Sequence, residues 1–229
     1  MRVAVLTIDQ RGSSHDTATD RVPATLVALA DVEMLRPFER TAGDEFQGVL
    51  DDPAALAPVV ERLLREESWN VGIGIGEVEE PLPESTRAGR GPAYLHAREA
   101  VTAAKSAPWR LRVVGDDLHD RQGVRGLETT LWLWAAVLNR RTSRGWEVAD
   151  LVDAGASYDQ VAKRLGVTQS AISQRAQAAG IVEGRRAREL VTDLVGGLLQ
   201  DGASSTPRNR AKGALRAEAA RFRGDPGKA

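Results

Sequence analysis

Cysteine is missing from the 229-residue chain, and with it go disulfides, thiolate zinc sites and cysteine nucleophiles. Long apolar runs are missing too. The longest near the start, Val3 to Ile8, is far too short for a signal peptide or a membrane span, so the sequence predicts no membrane contact and a cytoplasmic protein. Lysine is scarce: Lys105, Lys163, Lys212 and Lys228 stand against 27 arginines, a bias read as genome composition and not as function. His15, His96 and His119 lack metal-ligand spacing, and no nucleophile–base pair is identifiable. What is present is 42% hydrophobic and 28% charged, which supports a sizeable core in one or two domains and argues against a disordered chain or a fibre.

Charge is unevenly spread. Residues 1–129 hold 15 Lys and Arg against 22 Asp and Glu, a net of −7, whereas residues 130–229 hold 16 against 10, a net of +6. Opposite signs on two halves point to two jobs, with the basic half facing a polyanion. Part of that excess lies in the weakly patterned C-terminus, from Arg208 to Lys228.

The pattern of the first half predicts strand, helix, strand, strand, helix, strand, helix, strand. Arg2 to Asp9 is a β-branched run ending in an acid, and Gln10 to Ser14 has the composition of a tight loop. Asp20 and Pro23 start a helix, and Phe38 to Leu50 reads as two strands joined around Gly43-Asp44-Glu45. Pro53 opens a helix with an apolar stripe at Leu56, Val59, Val60, Leu63 and Leu64. In Trp69 to Val78, Gly alternates with Val and Ile, which is explained where a helix, a backbone or a ligand comes close. Gly91-Pro92 opens a further helix, and Leu111 to Gly115 is a last strand. The fold class is α+β, with helices on one face of an antiparallel-rich sheet. From Leu127, helical spacing at Leu131, Trp134 and Leu138 marks a long helix, and the chain stays helical to Gln200.

The strongest motif lies within 157–179. Ser157 caps a helix with Val161, Ala162 and Leu165 on its inner face, Gly166 ends it, and Thr168 caps the next. Ile172 and Ala176 turn back onto Ala162, a small residue where two helices cross steeply. The outer face carries Gln169, Ser170, Ser173, Gln174 and Gln177, uncharged side chains able to reach base edges in a major groove. With Thr168 and Arg175 they form the candidate DNA-binding set, while Arg175 and the group Arg140, Arg141 and Arg144 are placed to neutralise phosphates. A helical hairpin used for protein contacts is the alternative. Trp132, Trp134 and Trp146 read as core or dimer-interface anchors. The apolar face from Leu190 to Leu199 either completes a core or pairs two chains, and a homodimer would suit palindromic sites.

A second candidate site lies at the end of the first strand. Asp9 and Asp44, if brought together, would hold divalent cations beside a triphosphate, while Gly12, Ser13 and Ser14 would offer backbone N–H groups and hydroxyls to phosphate oxygens. Arg98 would approach a phosphate from its helix, with Tyr94 stacking or hydrogen-bonding nearby; the favoured alternative makes Tyr94 a core-edge residue and pairs Arg98 with a surface acid such as Glu77. Simple solvation of these acids is the alternative.

TAGDEFQGVL with a preceding strand ending in Asp9 resembles the palm domain of class III nucleotide cyclases and diguanylate cyclases, whose signature turn is Gly-Gly-Asp/Glu-Glu-Phe. The resemblance implies Asp9 and Asp44 as metal ligands, Glu45 as the neighbouring acid, and Mg²⁺ with a nucleotide as cofactor. Ala42 stands where that family has its first glycine. As a whole the chain is similar to the SatD family, found in bacteria. That similarity rests on Asp9, GDEFQG at 43–48, GIGIGE at 72–77, GPAYLHAREA at 91–100 and TQSAISQR at 168–175. It spans residues 1 to about 180 and implies a palm- or ferredoxin-like domain over 1–120 followed by a helix-turn-helix domain with its linking helix over 126–200; residues 201–229, rich in Ala, Arg, Gly and Ser, read by composition as a flexible or weakly helical basic tail. The function expected is a transcriptional regulator binding double-stranded DNA, with a nucleotide- or metal-sensing first half. A metal-dependent nucleotide cyclase or nucleotidyl transferase, and a protein-interaction scaffold, are the competing classes.

Overall fold

A computed structural model describes residues 1–12, 19–116 and 121–200. Ser13, Ser14 and the expected tail over 201–229 lie outside the described residues. The molecule is a mixed α and β fold built on one five-stranded sheet. Its first half runs β1 (Arg2–Gln10), α1 (Val22–Ala28), β2 (Arg36–Ala42), β3 (Glu45–Leu50), α2 (Leu56–Glu66), β4 (Trp69–Glu77), α3 (Pro92–Ala104) and β5 (Leu111–Val114). The strand order is β2-β3-β1-β4-β5, antiparallel except for the parallel pair β4–β5. The element order matches the sequence pattern, including the turn at Gly43-Asp44, where Gly43 takes φ +56°.

Helices cover both faces of the sheet, which corrects the expectation of one. On β1, Ala4, Leu6 and Ile8 join one core with Leu56, Val59, Val60 and Leu63 of α2, while Val3 and Val5 join another with Ala93, Tyr94 and Ala97 of α3. That is why the run from Val3 to Ile8 is apolar on both faces, broken only by the buried Thr7, and not alternating. The glycines of β4 are the reason α3 fits. A Cβ at Gly72 would lie 2.2 Å from the Val101 backbone N, and one at Gly74 would lie 2.2 Å from both the Ala93 carbonyl oxygen and the Ala97 N. The helix therefore rests on bare backbone, with Ala93, Ala97, Ala100 and Ala104 turned inward.

Tyr94 is buried in that layer, and its phenol oxygen has no hydrogen-bond partner. Burial pushes the phenol above its ordinary pKa, with the charge of Arg36 opposing the shift. The folded state thus holds Tyr94 neutral, so its contribution is intact below the unfolded tyrosine's pKa of about 10 and is lost as pH climbs through the folded value. Tyr94→Phe removes the unpaired hydroxyl and is expected to raise stability by about 1 kcal/mol. Urea unfolding near neutral pH and above the unfolded pKa checks this, and the gain should be larger in the alkaline series.

The second half runs α4 (Arg121–Asn139), α5 (Ser143–Asp153), α6 (Tyr158–Leu165), α7 (Gln169–Ala178) and α8 (Ile181–Leu199). Leu127, Leu131, Trp134 and Leu138 of α4, and Val191, Val195 and Leu198 of α8, join the sheet core on the α2 side. Most of the apolar face of α8, open to two readings in the sequence, lies there, while Leu190 is exposed. The two helices run antiparallel, with Gly123 against Leu198 at one end and Val137 against Gly180 at the other. Between them, α5, α6 and α7 close a smaller core of Val148, Ala149, Val152, Val161, Ala162, Ile172 and Ala176.

Candidate functional sites

The turn between α6 and α7 is fixed by local hydrogen bonds. Ser157 Oγ accepts from the Gln160 N while the Gln160 side chain accepts from the Ser157 N, a reciprocal cap. Gly166 ends α6 in the left-handed region at φ +64°. Thr168 Oγ1 then caps α7 by accepting from the Ala171 N at 3.2 Å. With Ile172 and Ala176 buried on one side, Gln169, Ser170, Ser173, Gln174 and Gln177 stand exposed on the other, beside a half-buried Arg175. The helix thus presents a row of neutral donors and acceptors to solvent.

Of the arginines expected near phosphates, Arg140 and Arg144 are exposed and Arg141 is not. The Arg141 side chain is 2% exposed and binds Glu61 Oε1 at 3.0 Å and the Ala179 carbonyl at 2.9 Å. Its task is internal. Burial pulls its guanidinium below the ordinary pKa, opposed by the nearby Glu61 charge. Glu61, on α2, also accepts from Arg188 of α8, which in turn holds Asp153 of α5 at 2.7 Å. Trp146, one of the expected anchors, is sandwiched between the guanidinium groups of Arg141 and Arg65 at 4.6 and 4.4 Å from its ring centre. This cluster joins α2 to α5 and α8, two of the helices that touch α7.

Just past the C-terminal end of α2 an open cleft of about 860 Å³ lies beside the end of β1. In register, Asp9 faces Glu45 on β3 and Asn70 on β4. Asp9 Oδ2 accepts from Asn70 Nδ2 at 2.9 Å and meets Lys105 Nζ at 3.2 Å. Glu45 accepts from Thr41 Oγ1 at 2.7 Å, and the Asp44 carbonyl accepts from the Gln10 N. Asp9 and Glu45 thus share a sheet face, while Asp44 sits in the turn. Among the described residues no three His, Asp or Glu side chains gather into a metal-holding group. Gly12 lines the cleft with φ +71°, and Arg98 is exposed on α3 and does not line it.

The charged lining is Arg11, Arg21, Lys105 and Arg110 against Asp9 and Glu67. Lys105 and Arg110 escaped the sequence reading. Lys105 had a signal in being one of four lysines, whereas the position of Arg110 depends on backbone geometry that no residue pattern announces. No family model, curated protein or solved structure matches the chain.

Proposed function

We propose that the protein is a DNA-binding transcriptional regulator in which α6 and α7 form a helix-turn-helix and α7 reads base edges in the major groove. The observation that carries this is the exposed row Gln169, Ser170, Ser173, Gln174 and Gln177 on a helix capped by Thr168 and backed by Ile172 and Ala176. Amide and hydroxyl groups at these positions suit adenine edges and phosphates alike. Exposed Arg140, Arg144 and Arg164 add positive charge to the same half of the chain. The sheet half is read as palm-like: β1-α1-β2-β3-α2-β4 with order β2-β3-β1-β4 is the split β-α-β arrangement. Its role in this reading is to sense a small molecule. A homodimer would let two copies of α7 meet a palindromic site.

Genomic fragments captured by the wild-type protein provide the test. Gln169→Ala with Gln174→Ala is expected to weaken binding to the enriched sequence about tenfold to several hundredfold, while leaving binding to random duplex nearly unchanged. Arg175→Ala should instead weaken both and lower the salt slope by roughly one. Absence of duplex affinity at low salt would reject the reading and favour a protein-interaction scaffold.

A further inference from the structure

Below the cationic cleft lies a second, smaller and more enclosed cavity of about 170 Å³. Leu63, Trp69, Trp109 and Leu138 give it apolar walls, and Arg11, Glu67 and Arg110 line both spaces. The two cavities thus adjoin at Arg11, Glu67 and Arg110, the larger lined mainly by charged and polar residues and the smaller mainly by apolar ones.

The backbone marks this recess. Among the described residues, the non-glycine positions with left-handed backbone are Glu67, Trp109 and Arg110, at φ +53°, +54° and +54°, and all three line the inner cavity. Such a conformation is strained for any residue but glycine and persists where surrounding structure enforces it, which is commonly at ligand sites. Here the enforcement is visible. Glu67 ends α2 with its N–H on the Leu64 carbonyl, and the Arg110 N–H is held by the Ala107 carbonyl just before β5 begins. Arg11 is held at the boundary by donating from Nη1 to the Glu67 carbonyl at 2.7 Å. The Arg110 guanidinium makes no ion pair or hydrogen bond among the described residues.

We propose that this recess binds a small aromatic anion: one ring in the inner cavity, and a carboxylate or phosphate between Arg11 and Arg110. Size selects the ring, because a cavity of about 150 Å³ with aliphatic and aromatic walls accommodates benzene. Charge selects the substituent, since planar guanidinium groups pair best with planar or tetrahedral oxyanions. The four cations outnumber Asp9 and Glu67, and Asp9 is already engaged by Lys105. The floor of the recess includes Ala135, Leu138 and Asn139 of α4, so an occupant touches the helix that leads to Arg141. Binding itself does not depend on the DNA-reading proposal and is measured without DNA.

Calorimetric titration of the full chain with benzoate, phenyl phosphate, inorganic phosphate and ATP tests it. The aromatic anions are expected to bind at least about tenfold tighter than inorganic phosphate, and Arg110→Ala should weaken them about tenfold or more. Trp109→Gly suits a left-handed position, so the fold should survive it. That variant should erase the advantage of the ring while sparing inorganic phosphate. Three results would overturn the proposal: no preference for the aromatic anions over inorganic phosphate, indifference to both substitutions, or ATP binding tighter than either aromatic anion and unmoved by Trp109→Gly. In the last case the cleft alone would be the site.

Discussion

Gly74→Ala should destabilise the protein by at least about 3 kcal/mol, more than overpacking of a core usually costs. A methyl group there would sit 2.2 Å from both the Ala93 carbonyl oxygen and the Ala97 N. These are backbone atoms of α3 and cannot rotate away. Relief requires the whole helix to lift from β4, which would open Ala93, Ala97 and the neighbouring Val3 and Val5 to water. Two other glycines show that position, not residue type, decides the outcome. At Gly48 the added methyl would meet the Met34 Cε and the Phe38 ring, side-chain atoms that can shift, so about 1 kcal/mol is expected. At Gly197, within α8, nothing lies within 4 Å, and Ala should stabilise by roughly 0.5–1 kcal/mol through helix propensity. Thermal unfolding of the three variants ranks them. For a chain of this size the first corresponds to a melting temperature lower by about 6–12 °C. A small change for Gly74→Ala would mean that α3 does not rest on β4 as described.

The next largest effect belongs to Glu61→Gln, with an expected loss of about 3–5 kcal/mol. The substitution keeps the size of the side chain and removes the charge between Arg141 and Arg188. Arg141, 2% exposed, would then be a buried cation whose opposing charge is gone. Paired buried charges are not strongly stabilising compared with a well-packed apolar substitute, but breaking such a pair on one side is costly. Glu61→Leu combined with Arg141→Met should therefore recover part of what either substitution loses alone. Denaturant titrations closing that double-mutant cycle measure the coupling, and additive losses would show that the two groups act separately. On the DNA-reading proposal, affinity for duplex DNA should fall along with stability in Glu61→Gln, because the same cluster holds α5 and α8, both of which touch α7.

Much of this arrangement was legible in the residues, for local reasons. The caps at Ser157, Gly166 and Thr168 depend on neighbours three or four positions away, and the side chains that make them are visible in sequence. The alternating glycines of β4 announced a close approach, because a strand interior has little other use for them. What covered them was harder to read. A helix of Ala93, Ala97, Ala100 and Ala104 has too weak an apolar stripe to say which sheet face it joins, and the expectation of one covered face followed from that. Arg141 looked like its exposed neighbours Arg140 and Arg144 because its partner, Glu61, is 80 positions away. The acidic turn was found where the pattern placed it, with Asp9 and Glu45 opposed in register. The engagement of Asp9 by Lys105 is tertiary and left no local trace. The recess beneath Arg110 depends on three left-handed residues, none of them glycine, so the usual marker of that conformation was missing.

A further consequence comes from where the three-helix unit leaves and rejoins the rest of the chain. A methyl on Gly145 would come within 3.2 Å of the Ala179 side chain, so entry and exit are neighbours. A segment that departs and returns at one spot is like a parenthesis in a sentence: descendants of the gene can lengthen, trim or exchange it while the host keeps its strand order. On the DNA-reading proposal, the exposed face of α7 can accordingly change its target at a pace of its own, while the charges around Glu61 keep the unit joined to α2.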